Sequence, residues 1–134
     1  MTTTNPDPAR TASAAVELIR RFNHETITTG PGWEYPGSAY HAIGALSYLA
    51  RILPQAIEQC AAPVRRTHAD GRLQLDTRTD PGTALTNLDS LLASAAKTAA
   101  LLGDYLDQAH AASSPMGMDT TGLPEFFEAD GNGD

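Results

Sequence analysis

The sequence predicts an all-α protein: an up-down-up three-helix bundle with a long C-terminal helix, able to dimerise and followed by a disordered acidic tail. Three segments carry apolar residues at spacings of three and four, which is the period of an amphipathic helix. Residues that favour helix N-termini precede two of these segments. We expect a flexible N-terminus over residues 1–8, a helical bundle domain over 9–112 and the tail over 113–134.

The first helix is predicted over residues 9–26. Its apolar side chains cover less than half of the circumference, so one narrow face is expected to be buried. The series consists of Ala12, Ala15, Ile19 and Phe22, with Val16 and Leu18 beside it.

A loop rich in glycine and proline, residues 30–37, follows this helix and excludes regular structure there. With the first turn of the next helix, it brings together aromatic, carboxylate and imidazole groups suited to a ligand or partner site. The alternative is that its rings only close one end of the bundle. The candidate residues are Trp33, Glu34, Tyr35, Tyr40 and His41.

The second helix is predicted from Ser38, as N-cap, to about Ala61. Pro54 removes a backbone donor and should bend the helix. Because the apolar series continues in phase across Pro54, we predict one helix. Cys60 is expected on its apolar side as an inert thiol.

Residues 63–79 interrupt the helical period. Asp70-Gly71 is a turn signal, so a short β-hairpin over residues 64–75 and an irregular loop both stay open. This segment also contains half of the eight arginines, and aspartates are interleaved with them. Local pairing or solvation is therefore favoured over a nucleic-acid contact. The arginines are Arg65, Arg66, Arg72 and Arg78.

The third helix is predicted from Asp80, as N-cap, with Pro81 in the first turn, to about Ala112. Together with the second helix it carries more apolar surface than the narrow first helix can cover. The surplus flanks are predicted to bind a second copy or a helical partner. This interaction surface comprises Ala45, Leu49, Ile52, Leu91 and Tyr105.

The acidic tail contains two phenylalanines between carboxylates, a pattern typical of short segments that fold on a partner. The alternative is that the phenylalanines pack back on the bundle. The docking residues would be Leu123, Phe126 and Phe127.

Composition excludes several function classes. The net charge of −7 disfavours binding to nucleic acid or to an anionic membrane. A single cysteine and a polar N-terminus that does not resemble a signal peptide indicate a cytoplasmic protein. No metal-ligand spacing, phosphate loop, dinucleotide fingerprint or nucleophile elbow is present, so no cofactor and no metal are predicted.

Two resemblances bear on the class of protein. The length and helical layout are similar to those of the WXG100-like secreted helical hairpins, but their motifs are absent: Trp33 is followed by Glu34 and Tyr35, and Tyr105 is followed four residues later by Ala109. The stretch 40–54 resembles small helical actinobacterial proteins. The strong preference for arginine over lysine fits such a high-GC source.

The function that these features favour is a non-enzymatic interaction module, an accessory or regulatory protein that self-associates through its amphipathic helices. The alternative is a small-molecule-binding bundle that uses the loop around Trp33. A further alternative is an enzyme at that loop, with His41 or Glu34 as the acid–base group.

Overall fold

The computed structural model describes residues 5–124, which contain four helices and no strand. The helices, in chain order, are α1 (Pro8–Glu25), α2 (Pro36–Gln59), α3 (Ala62–Ala69) and α4 (Pro81–Ser113). The predicted all-α class and the long C-terminal helix are confirmed. The chain divides into two compact units, Met1–Tyr35 and Pro36–Asp134, each with its own internal contacts.

The N-terminal unit consists of α1 and the loop that follows it. Asp7 caps α1 by accepting a hydrogen bond from the backbone N–H of Arg10 at 3.2 Å. Pro8 occupies the first turn, where its missing N–H has no intrahelical partner to lose. No residue of α1 is buried and Leu18 is 57% exposed, so the buried face expected of this helix stays a prediction. Within the described residues of this unit, the loop after α1 packs on the helix close to its C-terminal end, where Trp33 contacts Phe22.

In the C-terminal unit, α2 starts at Pro36 and ends at Gln59 without interruption at Pro54. The prediction of a single helix across this proline is therefore confirmed. The predicted start at Ser38 was two residues late. A proline is favoured in the first turn of a helix, so Pro36 can begin α2 where sequence analysis expected loop.

α4 is the longest helix and begins as predicted. The carboxylate of Asp80 accepts a hydrogen bond from the backbone N–H of Thr83 at 3.0 Å, and Pro81 follows at the first helical position. The helix then continues to Ser113, one residue beyond the predicted end.

α2 and α4 form the largest contact of the C-terminal unit and run antiparallel. Ser47 contacts Asp107, and Ala50 lies against Gly103. Moving forward along α2 therefore means moving backward along α4. This register decides which side chains of the two helices meet.

Small side chains line this contact. Ser47, Ala50 and Ala96 are each at least nine-tenths buried. A Cβ atom added at Gly103 would lie 3.7 Å from the Cβ of Ala50, an ordinary van der Waals contact. The two backbones therefore approach closely, toward the short end of the range for packed helices. We call this contact the small-residue seam: Ser47, Ala50, Ala96, Ala99 and Gly103.

The segment between α2 and α4 contains a helix that sequence analysis missed. Pro63 stands in the first turn of α3 and helps to start it, although it was interpreted as a break. At the other end, Gly71 has a φ of 71°, and its N–H donates to the carbonyl of His68. The N–H of Arg72 donates to the carbonyl of Thr67, completing a Schellman motif. The Asp-Gly signal is thus a helix C-cap, and the possible hairpin over 64–75 is not formed.

After α4 the chain makes two turns, closed by backbone hydrogen bonds of 3.1 Å between Ser113 and Met116 and between Thr120 and Leu123. Phe126 and Phe127 lie outside the described residues. The docking role of the tail, its disorder and the domain boundaries therefore stay predictions.

Candidate functional site

An aromatic cluster occupies the end of the C-terminal unit where α2 begins and α4 ends. The ring of Tyr40 stacks on the imidazole of His110, with centroids 4.2 Å apart and an interplanar angle of 16°. His41 lies edge-on to Tyr40 at 5.5 Å. Gly44 provides the space, since a Cβ atom there would be 2.8 Å from Nε2 of His110. Tyr40 and His41 thus share a cluster with a histidine that sequence analysis did not single out.

A polar network lies one turn further along α2. The carboxylate of Asp107 accepts hydrogen bonds from the hydroxyl of Ser47 and from the guanidinium of Arg51. The Ser47 bond first, and then Arg51, lower the pKa of Asp107 below its usual value, against the opposing effect of partial burial. A smaller contribution in the same direction comes from His110. Among the described residues, no buried side-chain N or O atom lacks a partner, and Asp107 is the partner of the buried Ser47 hydroxyl.

Trp33, Glu34 and Tyr35 belong to the N-terminal unit. The indole of Trp33 lies edge-on to the ring of Phe22, with centroids 5.8 Å apart and an interplanar angle of 81°. Trp33 is half-buried, whereas Glu34 and Tyr35 are exposed. The other two candidates, Tyr40 and His41, belong to the C-terminal unit. A common site for all five stays a prediction.

The predicted interaction surface lies on α2 and α4. Ile52, Leu91 and Tyr105 are 50%, 61% and 63% exposed. Ala45 is exposed as well, and Leu49 is half-buried.

The register brings the apolar residues of the two helices to a common side. Leu49 directly precedes Ala50 in α2, and Leu102 directly precedes Gly103 in α4. One residue is a rotation of about 100° around a helix axis, and the helices run in opposite directions, so both leucines turn to the same face of the pair. Leu102 is itself 48% exposed. We call this surface the apolar flank: Ala45, Leu49, Ile52, Leu91, Leu102 and Tyr105.

A second apolar surface was not predicted. A cavity of about 450 Å³ lies between α3, the loop after it and the first turns of α4. Its volume is within the range of about 300–1,000 Å³ that small ligands occupy in proteins. We call it the apolar groove; it is lined by Val64, Leu73, Gln74, Leu75, Asp76, Ala84, Leu85 and Leu88.

The four arginines of this region belong to α3 and to the loop after it, the same segments that supply part of the groove lining. Arg65 forms an ion pair with Asp89 of α4 at 2.6 Å. Arg66, Arg72 and Arg78 are exposed and make no ion pair within the described part of the chain. The favoured prediction was local pairing or solvation: Arg65 is paired, and the other three arginines are exposed.

The remaining nucleophilic and metal-binding groups do not converge. Within residues 5–124, no group of three or more histidine, cysteine, aspartate or glutamate side chains could hold a metal ion. The thiol of Cys60 is exposed and donates to the carbonyl of Ala56 at 3.2 Å. Its predicted place on the apolar side is wrong, because Cys60 follows the last residue of α2, where the chain turns into α3.

Comparison of the chain with protein-family models, with curated proteins and with solved structures found no match. In the part of the chain that the structure describes, no helix combines the length and the apolar content needed to cross a bilayer.

Only part of these surfaces left a signal in the sequence. The alternation of Leu73 and Leu75 was visible, and Leu85 and Leu88 belong to the periodic series of α4. The sequence did not show that these four leucines line one groove. Their meeting depends on the Schellman motif that turns the chain back after α3.

Proposed function

We propose that the protein is a non-enzymatic interaction module, an accessory or regulatory protein that pairs with a second copy through the apolar flank. The observation that supports this most is the exposure of Ile52, Leu91 and Tyr105, each at least half exposed beside a closely packed seam. Clusters of large exposed apolar side chains are uncommon on monomers. Covering them with a partner removes apolar surface from water, at about 25 cal/mol per Å².

A second copy is the partner that the geometry favours. Two antiparallel α2–α4 pairs that meet flank to flank would form a symmetric four-helix bundle. Across a two-fold axis, the leucine, isoleucine and tyrosine side chains of one copy can pack on the same side chains of the other. No partner of different chemistry is therefore required. The acidic net charge argues against nucleic acid as the partner, and we propose a cytoplasmic location on the same compositional grounds as above.

The test compares the sedimentation of wild type with Leu91→Asp and Ile52→Asp. We expect a wild-type dimer at micromolar concentration and monomers for both variants, because a charge is not tolerated at a dry interface. Ala93→Asp is the matched control: this alanine is exposed on α4, on the other side of the helix pair. It should stay dimeric.

All three variants should keep the helical far-ultraviolet spectrum of the wild type, since each replaced side chain is exposed. A wild type that remains monomeric across the micromolar range would contradict the proposal. So would variants that dimerise as well as their parent.

A further inference from the structure

We propose that the apolar groove is a docking site for the acidic aromatic segment 123–130 of a second copy of this chain. The segment reads Leu-Pro-Glu-Phe-Phe-Glu-Ala-Asp. The groove is built by two leucines of the loop after α3, two leucines of α4 and Val64 of α3. No side chain of the described residues fills it.

The shape and chemistry of the groove fit apolar side chains from such a segment. Six of its eight lining residues are aliphatic, the other two being Gln74 and Asp76, and a cavity of about 450 Å³ can take in side chains of the size of phenylalanine. Phe126 and Phe127 are two of the three phenylalanines of the whole chain. A pair of aromatic anchors entering an aliphatic pocket is the usual centre of a short-peptide interface.

Residues 62–89 carry four arginines that can pair with the carboxylates of the segment, together with four aspartates. Asp80 is engaged as the cap of α4, and Asp89 is paired with Arg65, whereas Asp70 and Asp76 are exposed. Arg72 directly precedes Leu73 of the groove, and its exposed side chain forms no ion pair in the described residues. The segment places carboxylates on both sides of its phenylalanines: Glu125, Glu128 and Asp130. Opposite charges around an apolar contact favour this orientation and speed association.

Chain length favours the groove of a second copy over the groove of the same chain. Leu88 lines the groove, and the 25 residues from there to Ser113 make about 38 Å of helix at 1.5 Å per residue. The 13 residues from Ser113 to Phe126 span at most about 45 Å when fully extended. The two hydrogen-bonded turns that follow α4 shorten this reach. The tail of a second copy is not limited by this distance.

This inference shares self-association with the proposed function but uses another surface. The apolar flank lies along the sides of α2 and α4, whereas the groove lies between α3 and the first turns of α4. Either contact can therefore form without the other.

The experiment measures the fluorescence anisotropy of a labelled peptide of residues 119–134 during titration with the full chain. The full chain carries Phe126→Ser and Phe127→Ser, so that its own tail cannot compete. We expect saturable binding that weakens as salt is raised, because ion pairs between exposed groups are screened. A peptide with the same two serine substitutions is the first control and should not bind.

Groove variants then locate the contact. In the full chain, Leu75→Ser should weaken peptide binding by about tenfold or more, the effect of losing one buried leucine contact. Arg72→Glu should weaken it about fivefold and reduce the salt dependence. Lys97→Glu makes the same change of charge on an exposed part of α4 outside the groove, and it should leave binding within about twofold.

A peptide that does not bind, or that binds all groove variants as tightly as the parent, overturns the proposal. If Leu75→Ser loses its helical spectrum, Arg72→Glu decides alone, since Arg72 is exposed and its side chain makes no hydrogen bond in the described residues. The peptide should bind Ile52→Asp, a flank variant on α2 outside the groove lining, as tightly as the parent. Normal peptide binding by a protein whose dimer is unaffected by flank substitutions would contradict the proposed function while supporting the groove.

Discussion

The two ends of the C-terminal unit are built from different side chains. In the part of the α2–α4 pair away from α3, the small residues Ser47, Ala50 and Gly103 allow close contact, and Asp107 satisfies the buried hydroxyl of Ser47. Around α3, by contrast, leucines surround an open groove. The closed end is held together by this packing, whereas the open end leaves a cavity between its leucines. Close packing and open apolar surface are thus separated along a single long helix.

An alanine-to-leucine substitution at each of the two ends should give the largest difference in the free energy of unfolding. Ala50→Leu forces extra methylene groups into the seam, where Ala50 is 1% exposed, and should lower the free energy of unfolding by about 1–3 kcal/mol or more. Ala84→Leu extends into the groove and should change it by less than about 0.5 kcal/mol. Urea denaturation of both variants measures the difference. Equal losses would mean that the two ends are packed alike.

Substitution by alanine at two glycines of the closed end should change the stability in different ways. Gly103→Ala adds a Cβ at ordinary contact distance and should stabilise by about 0.5–1 kcal/mol through helix propensity. Gly44→Ala must displace the ring of His110 and with it the stacking on Tyr40, which is worth about 0.5–1.5 kcal/mol. The two melting temperatures should therefore move apart. Equal stabilisation by both alanines would show that the stacked pair adds nothing.

The smallest effect is expected from the pH dependence of the network. The pKa of Asp107 is lowered in the folded protein, so its contribution to stability is present above the ordinary value of 3.8 and is lost as the pH falls through and below it. Asp107→Asn should therefore lose less stability than wild type between neutral pH and pH ~3. Asp104→Asn, at an exposed carboxylate of the same helix, should follow the wild type. If the free energy of unfolding depends on pH in the same way for wild type and Asp107→Asn, this carboxylate has no stabilising role.

Local signals in the sequence predicted most of the fold. Asp80 and Pro81 mark the start of α4 because a cap and a fixed φ act within one turn. Continuity of α2 across Pro54 followed from the phase of the apolar series. α3 was missed because the same Asp-Gly pair suits a hairpin turn and a helix C-cap, and only the hydrogen bonds distinguish them.

The candidate sites were less accessible to sequence analysis. The flank could be proposed because helix geometry places Leu91 and Tyr105 outside the central stripe. The network of Ser47, Arg51 and Asp107 could not be predicted. Its partners are up to 60 residues apart and meet only because α2 and α4 pack in one particular register. Periodicity gives the face of one helix, but it does not give the alignment of two.

That alignment also sets an order in which the C-terminal unit can assemble. The ion pair of Arg65 and Asp89 closes a loop of 24 residues, whereas Ser47 and Asp107 are 60 residues apart. Loop closure becomes less favourable with length, by about 0.6 kcal/mol per doubling. Contacts next to α3 are therefore the least unfavourable to make first, and each one shortens the loop that the next must close. The helices would join from the groove toward the aromatic cluster, with the connection around α3 setting the pace of folding.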